Sequence, residues 1–209
     1  MAEERILTNG KVPMAAVLSK ELLESRLRED LIISPILEPR EQIGEGSVDI
    51  TLGTRFIVSQ RSEVPDIDPE KLTTQEIRKF QRSIIVPFGQ KFALHPSNFV
   101  LGCTFEFIGL PKDLCGFVLS RSSYGRAGLL IATATYVYPG WQGCLTLELE
   151  NLGEVPIILR PGSTVGQLVL MNSAPLARIR PFKWIPVGPM FTSLADHARW
   201  KKLHVLTSA

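Results

Sequence analysis

From Ser83 to Asn172 the chain is a succession of short apolar or alternating runs, and most of the gaps between them hold a glycine or a proline. SIIVPF, KFALHP, NFVLGCTFEFIGL, CGFVLS, GLLIATATYVY, GCLTLELEN, VPIILRPG and TVGQLVLMN follow one another closely. Short strands with frequent turn signals build antiparallel sandwiches, barrels or jelly rolls. The alternation of strands with long helices that a Rossmann or P-loop sheet requires is missing. The expected fold is therefore mainly β, a distorted β-barrel or jelly roll, and nothing repeats with a period of 20–50 residues.

The flanking segments read differently. Residues 1–15 look like a loose leader. Ser19 can cap a short N-terminal helix in which Leu22, Leu23 and Leu27 share a face. ILEPREQIGEG is punctuated by proline and glycine and reads as a loop. SVDITLGTRFIVS then alternates, with Val48, Ile50 and Leu52 on one side and Asp49 and Thr51 on the other, as in a half-buried strand. Gln60 to Arg82 is a polar excursion with Pro65 and Pro69, expected to be a solvated loop with one helical turn near TTQEIRKFQ. We divide the chain into the leader, one β domain over 16–180, and an irregular basic and aromatic tail over 181–209.

Composition narrows the partners. Of the 209 residues 44% are hydrophobic and 21% charged, ordinary values for a globular domain, and the formal net charge is +2. No long basic tract marks a nucleic-acid partner, and no apolar run is long enough to cross a bilayer. Cys103, Cys115 and Cys144 are odd in number and lack CxxC spacing, and MAEERILTNGK lacks the apolar run of a signal peptide. The expected setting is reducing and cytoplasmic.

The chemistry is concentrated between Arg121 and Asn151, RSSYGRAGLLIATATYVYPGWQGCLTLELEN. The zinc signature of hydrolytic deaminases is missing: there is no HxE, no PCxxC, and His95, His197 and His204 are scattered. No GxxxxGK[ST] phosphate loop is present either. In GCLTLELEN, Leu145, Leu147 and Leu149 point one way while Thr146, Glu148 and Glu150 point the other. Two acids on one strand face ordinarily make only a wet surface. Arg121, Ser122 and Ser123 offer two hydroxyls and a guanidinium within three residues, a set suited to phosphate oxygens but also common in plain turns.

Taken together, the motifs resemble those of the dCTP deaminase family within the dCTP deaminase and dUTPase superfamily. RSSYGRAGL is similar to RSSxxRxGL, GSVDITLGTRF to xSVDxRLGxxF, YPGWQGCLTLELEN to DPGWxGxxxLEFxN, and LRPGSTVGQL to LRPGxxIGQL, in the family's order. The resemblance implies the dUTPase-like β-clip fold and zinc-independent hydrolytic deamination of a deoxycytidine nucleotide, dCTP to dUTP and ammonia. It implies Glu148 as general base, with Ser122 and Arg126 orienting water and base. Arg121 and Ser123 would bind phosphate. The backbone of Thr133 and Ala134 would read the pyrimidine edge, and Tyr136 and Gln167 complete the expected substrate-binding set. It further implies Mg²⁺ carried on the nucleotide phosphates, no resident zinc, a pyrimidine deoxynucleoside triphosphate as partner, a homotrimer with sites between subunits, and the tail as a lid.

Departures cluster in one hairpin. Where the family has HVTAHRID this chain has IATATYVY, placing Ile131 and Thr135 at the two histidines, Tyr136 at the arginine and Tyr138 at the aspartate. These positions line the pyrimidine pocket. The tail also lacks the family's Lys-Tyr and Gln-Gly pattern. Two alternatives stay open: a non-catalytic nucleotide-binding or regulatory protein, and a dUTP diphosphatase. The second is disfavoured because the diphosphatase branch uses the hairpin aspartate as base, and a tyrosine, with an unperturbed pKa of about 10, does not serve at neutral pH.

Overall fold

A computed structural model describes residues 17–60, 62, 67, 74–132, 136–173 and 188–189. The leader over 1–15 lies outside the described residues, as does the tail over 181–209 apart from residues 188 and 189. The strands in chain order are β1 (Ile32–Ser34), β2 (Ser47–Thr51), β3 (Arg55–Ser59), β4 (Gln81–Ile85), β5 (Phe92–Leu94), β6 (Phe99–Cys103) and β7 (Phe107–Gly109). They continue with β8 (Leu114–Ser120), β9 (Leu129–Ile131), β10 (Tyr136–Val137), β11 (Gln142–Gly143), β12 (Thr146–Asn151), β13 (Ile157–Leu159) and β14 (Thr164–Asn172). Four short helices join them: α1 (Lys20–Glu29), α2 (Pro39–Gln42), α3 (Thr74–Phe80) and α4 (Ser122–Arg126).

Two sheets carry the architecture. One has the order β10-β8-β14-β2 and the other β4-β3-β6-β12-β9. Every paired strand is antiparallel with its neighbour, as short turn-linked strands predict. A three-stranded sheet β1-β7-β11 and the pair β13-β5 complete the set. Among the described residues the sheets stay separate rather than closing into one barrel, so the fold is the jelly-roll form of the expected mainly β architecture. Its core is built from the alternating faces read in the sequence: Val48, Ile50 and Leu52, then Leu145, Leu147 and Leu149, then Leu168 and Leu170, all buried.

Three local readings needed adjustment. In α1 the Ser19 hydroxyl accepts the Leu22 amide at 3.4 Å, as the cap predicts. Leu23 is fully buried and Leu27 packs beside the core, but Leu22 is 41% exposed. A residue one position before Leu23 is turned about 100° around the helix, so all three cannot face inward. The expected loop ILEPREQIGEG contains α2, started by Pro39 and ended by a buried Gln42. The polar excursion ends earlier than read, because β4 begins at Gln81 opposite Ser59, with α3 packed ahead of it through buried Ile77 and Phe80.

Asn151, at the end of β12, is fully buried with every polar atom occupied. Its amide nitrogen donates to the Leu94 and Val155 carbonyls at 2.9 Å each, and its amide oxygen accepts from the Gly153 N–H at 2.9 Å. This side chain ties the strand carrying Glu148 to the neighbouring pair β13-β5.

Candidate active site

The chain enters the site through α4. Arg121 follows β8, and its N–H donates to the Val165 carbonyl at 3.2 Å. Ser122 and Ser123 open the helix, both exposed, and Arg126 closes it, also exposed. Tyr124 points the other way and packs against the core. Gly128 then turns the chain into β9 with φ +92°. A Cβ there would lie 2.7 Å from the Gly153 nitrogen, so the turn admits only glycine. The Leu152 N–H donates to the Gly128 carbonyl at 2.9 Å, fastening the end of α4 to the end of β12.

Glu148 sits in the middle of β12 with its side chain on the face opposite the core leucines, half-buried. Its direct neighbour across β6 is Leu101, whose own neighbour on β3 is Ile57, and both are buried. An apolar flank of this kind disfavours charge, and burial raises the Glu148 pKa above the ordinary carboxylate value. The Glu148 carbonyl accepts the Ala132 N–H at 2.8 Å, which fixes the start of the altered hairpin beside the acid. Glu150 lies on the same face opposite Phe99 and Leu130, which are 39% and 40% exposed.

A second set of expected residues gathers on the other large sheet. Gln167 on β14 lies between Asp49 on β2 and Leu119 on β8. Its side-chain oxygen accepts from the Ser47 hydroxyl at 3.2 Å. Arg121 reaches across to Asp49 and pairs with it through Nη1. Tyr136 on β10 pairs with Phe117, the two ring centroids 5.4 Å apart, and its phenol pKa is raised by burial and by Cys115. Gln167 and Tyr136 thus share one sheet, with Arg121 just past the end of its strand β8, while Glu148 stands on the other sheet, whose edge strand β9 follows α4 in the chain. Thr133 and Ala134 lie outside the described residues.

Sequence reasoning missed Asp49 as a site residue. The signal was present: strand alternation places it on the face opposite Val48 and Ile50, but its partner Arg121 is 72 positions away. Tyr138, in the place of the family aspartate, leans edge-on against Trp141 with ring centroids 5.8 Å apart. Among the described residues no group of three or more His, Cys, Asp or Glu could hold a metal ion, and no helix is long and apolar enough to cross a membrane.

The dCTP deaminase-like family model matches residues 17–173. A dCTP deaminase of Halorubrum lacusprofundi is 41% identical over 168 residues, covering 79% of this chain and 81% of that protein. A Halobacterium salinarum protein named dCTP deaminase, dUMP-forming, is 41% identical over 155 residues, covering 73% and 78%. The crystal structure of 2'-deoxycytidine 5'-triphosphate deaminase from Agrobacterium tumefaciens shares the fold, with a TM-score of 0.60 and 21% identity. That match covers 76% of this chain and about half, 49%, of the other. A sequence match over most of the chain, at this identity and with this fold, means that the chain belongs to the dCTP deaminase-like family.

Proposed function

We propose that the protein is a zinc-independent hydrolase that deaminates a deoxycytidine nucleotide, dCTP, to dUTP and ammonia. The observation that carries this reading is the position of Glu148: a half-buried acid in the middle of β12, bound through its own carbonyl to Ala132 at the start of the base-reading hairpin. An acid there takes a proton from water as the oxygen adds to C4 of the cytosine ring. The proton then passes to the exocyclic nitrogen, the C4–N bond breaks, ammonia leaves, and the hydroxyl's remaining proton moves to ring N3, so that C4 keeps the oxygen as a carbonyl. One carboxylate serves as base and then as acid. Ser122 and Arg126 orient the water and the carboxylate. Arg121, Ser123 and Gln167 hold the phosphates, Thr133 and Ala134 read the pyrimidine edge, and Tyr136 flanks the base.

Glu148 must be ionised to start the reaction, and two forces oppose each other on it. Burial raises its pKa, while the Arg126 cation, brought close in the proposed assembled site, would lower it. The acid limb of kcat/KM then reports the balance of the two. Arg126→Gln moves that limb up, because the raising force is then unopposed. A limb that moves down, or does not move, in a pH profile of the variant removes Arg126 from this role.

The protein is proposed to work as a homotrimer in the cytoplasm, with sites between subunits. Glu148 stands on one large sheet while the Arg121 cluster follows strand β8 of the other, and exposed Phe99 and Leu130 beside Glu150 supply an apolar surface for a neighbour. Mg²⁺ is proposed to ride on the phosphates, which suits a donor set without a three-residue metal cage among the described residues. The β domain over 16–180 carries these residues, and the tail over 181–209 is proposed to close over the nucleotide.

The test is to incubate the purified protein with each pyrimidine nucleotide and Mg²⁺, with and without a zinc chelator, and to resolve the products. The expected result is ammonia and dUTP from dCTP, unchanged by the chelator. The Halobacterium salinarum relative is named dUMP-forming, and pyrophosphate appearing with ammonia would place this protein with it. Tight binding of a nucleotide without turnover would sink the enzymatic reading.

A further inference from the structure

Glu106 is the most deeply buried acid among the described residues, 1% exposed in the turn between β6 and β7. It has no part in the chemistry proposed above. Both carboxylate oxygens accept the Thr51 N–H, at 3.1 and 2.9 Å, and one also accepts the Thr51 hydroxyl at 2.8 Å and the Gln42 amide at 3.4 Å. These donors are all neutral. A buried carboxylate held only by neutral groups is costly, and its pKa is raised chiefly by burial. A plain structural staple could be made more cheaply from a neutral side chain. What a carboxylate adds is two acceptor oxygens and no donor, facing a strand end that presents only donors.

That strand end leads to the site. Thr51 is two residues beyond Asp49 on β2, and the Asp49 carbonyl accepts from the same Gln42 amide at 3.5 Å. Gln42 is locked in turn, its side-chain oxygen accepting the Leu37 and Glu38 N–H groups at 2.7 and 3.0 Å. The Glu106 turn is also sewn to the start of β12: the Thr104 hydroxyl donates to the Glu106 carbonyl at 2.8 Å and accepts the Leu145 N–H at 2.9 Å. The backbone of β2 is thus gripped at the Asp49 carbonyl and at Thr51, and the Asp49 side chain grips the Arg121 guanidinium.

We propose that Glu106 is a positioning residue for the triphosphate: through Thr51 and Gln42 it fixes β2, through β2 it fixes Asp49, and through Asp49 it aims Arg121. The inference rests on the phosphate role proposed for Arg121. An arginine side chain has several rotatable bonds, and one held in place beforehand loses less freedom when an anion arrives. The contact with Asp49 engages Nη1, and a guanidinium carries five N–H donors, so others remain for phosphate. In Glu106→Gln the amide nitrogen replaces one acceptor and sets donor against donor at Thr51, loosening the whole line without changing its size.

The test uses the full-length protein and inorganic triphosphate, which binds without turnover, titrated by calorimetry in Mg²⁺. Glu106→Gln is expected to weaken binding about tenfold, the size of coupling seen between residues in one network. Built on Arg121→Gln, the same change is expected to alter binding less than about twofold, because the group it aims has gone. Thr51→Val, which deletes only the hydroxyl bond, repeats the pattern more weakly and serves if Glu106→Gln does not fold. Equal losses in both backgrounds, or no loss with Arg121 present, overturn the proposal in favour of a purely structural role. Unchanged binding by Arg121→Gln itself overturns the phosphate role beneath it, and the proposal with it.

Discussion

Glu148→Gln is expected to lower dCTP deamination by roughly 10²–10⁴-fold or more, with fold and nucleotide binding retained. The amide has the shape of the acid but cannot take a proton from water, so the loss falls on kcat rather than on KM. Burial makes the variant easy on stability. The acid is half-buried against Leu101 and Ile57, and a neutral amide there relieves the cost of keeping a charge near apolar neighbours. Glu150→Gln is the control. It shares the strand face and is likewise half-buried, yet it faces Phe99 and Leu130 rather than the hairpin start at Ala132. It should cost little. A Glu148 variant that deaminates at the wild-type rate, or a Glu150 variant that does the greater damage, sinks the assignment of the base. Steady-state ammonia release with thermal melts of all three proteins decides it.

The strands were legible because their signal is local. Period-two alternation marks Val48, Ile50 and Leu52, and again Leu145, Leu147 and Leu149, and the structure buries all six. The helix cap at Ser19 was legible for the same reason, since its bond spans three residues. The two-residue strand β11 was not, being too short to show a period. Glu106 was invisible for a different reason. In NFVLGCTFEFIGL it reads as one more polar residue in an alternating run, and only partners 55 and 64 positions away make it a hub. The site divides along the same line. Glu148 and the Arg121 cluster could be picked out from motif and pattern, whereas the ion pair that aims Arg121 depends on which strands the fold makes neighbours. Here β14 lies between β2 and β8 and brings Asp49 to Arg121. No local pattern encodes that strand order.

The separation of Glu148 from the Arg121 cluster leads to the second large effect. If the working site joins Glu148 and the hairpin of one subunit to Ser122 and Arg126 of the next, two crippled proteins can repair each other. Glu148→Gln keeps an intact α4, and Arg126→Gln keeps an intact acid. Each alone forms trimers with no complete site. Unfolded together in equal amounts and refolded, they assemble at random, and a given interface pairs a good α4 with a good Glu148 in about a quarter of cases. Activity should therefore rise from a trace to about a quarter of that of wild type refolded in the same way. A site contained within one subunit cannot be rescued, because every subunit in the mixture carries one crippling change. The mixture would then stay as inactive as its parts. Light scattering on the same samples shows whether trimers formed, so a failure to assemble is distinguished from a site that is complete within each chain. Rescue without trimers would show instead that some smaller assembly suffices to bring the two sheets' residues together.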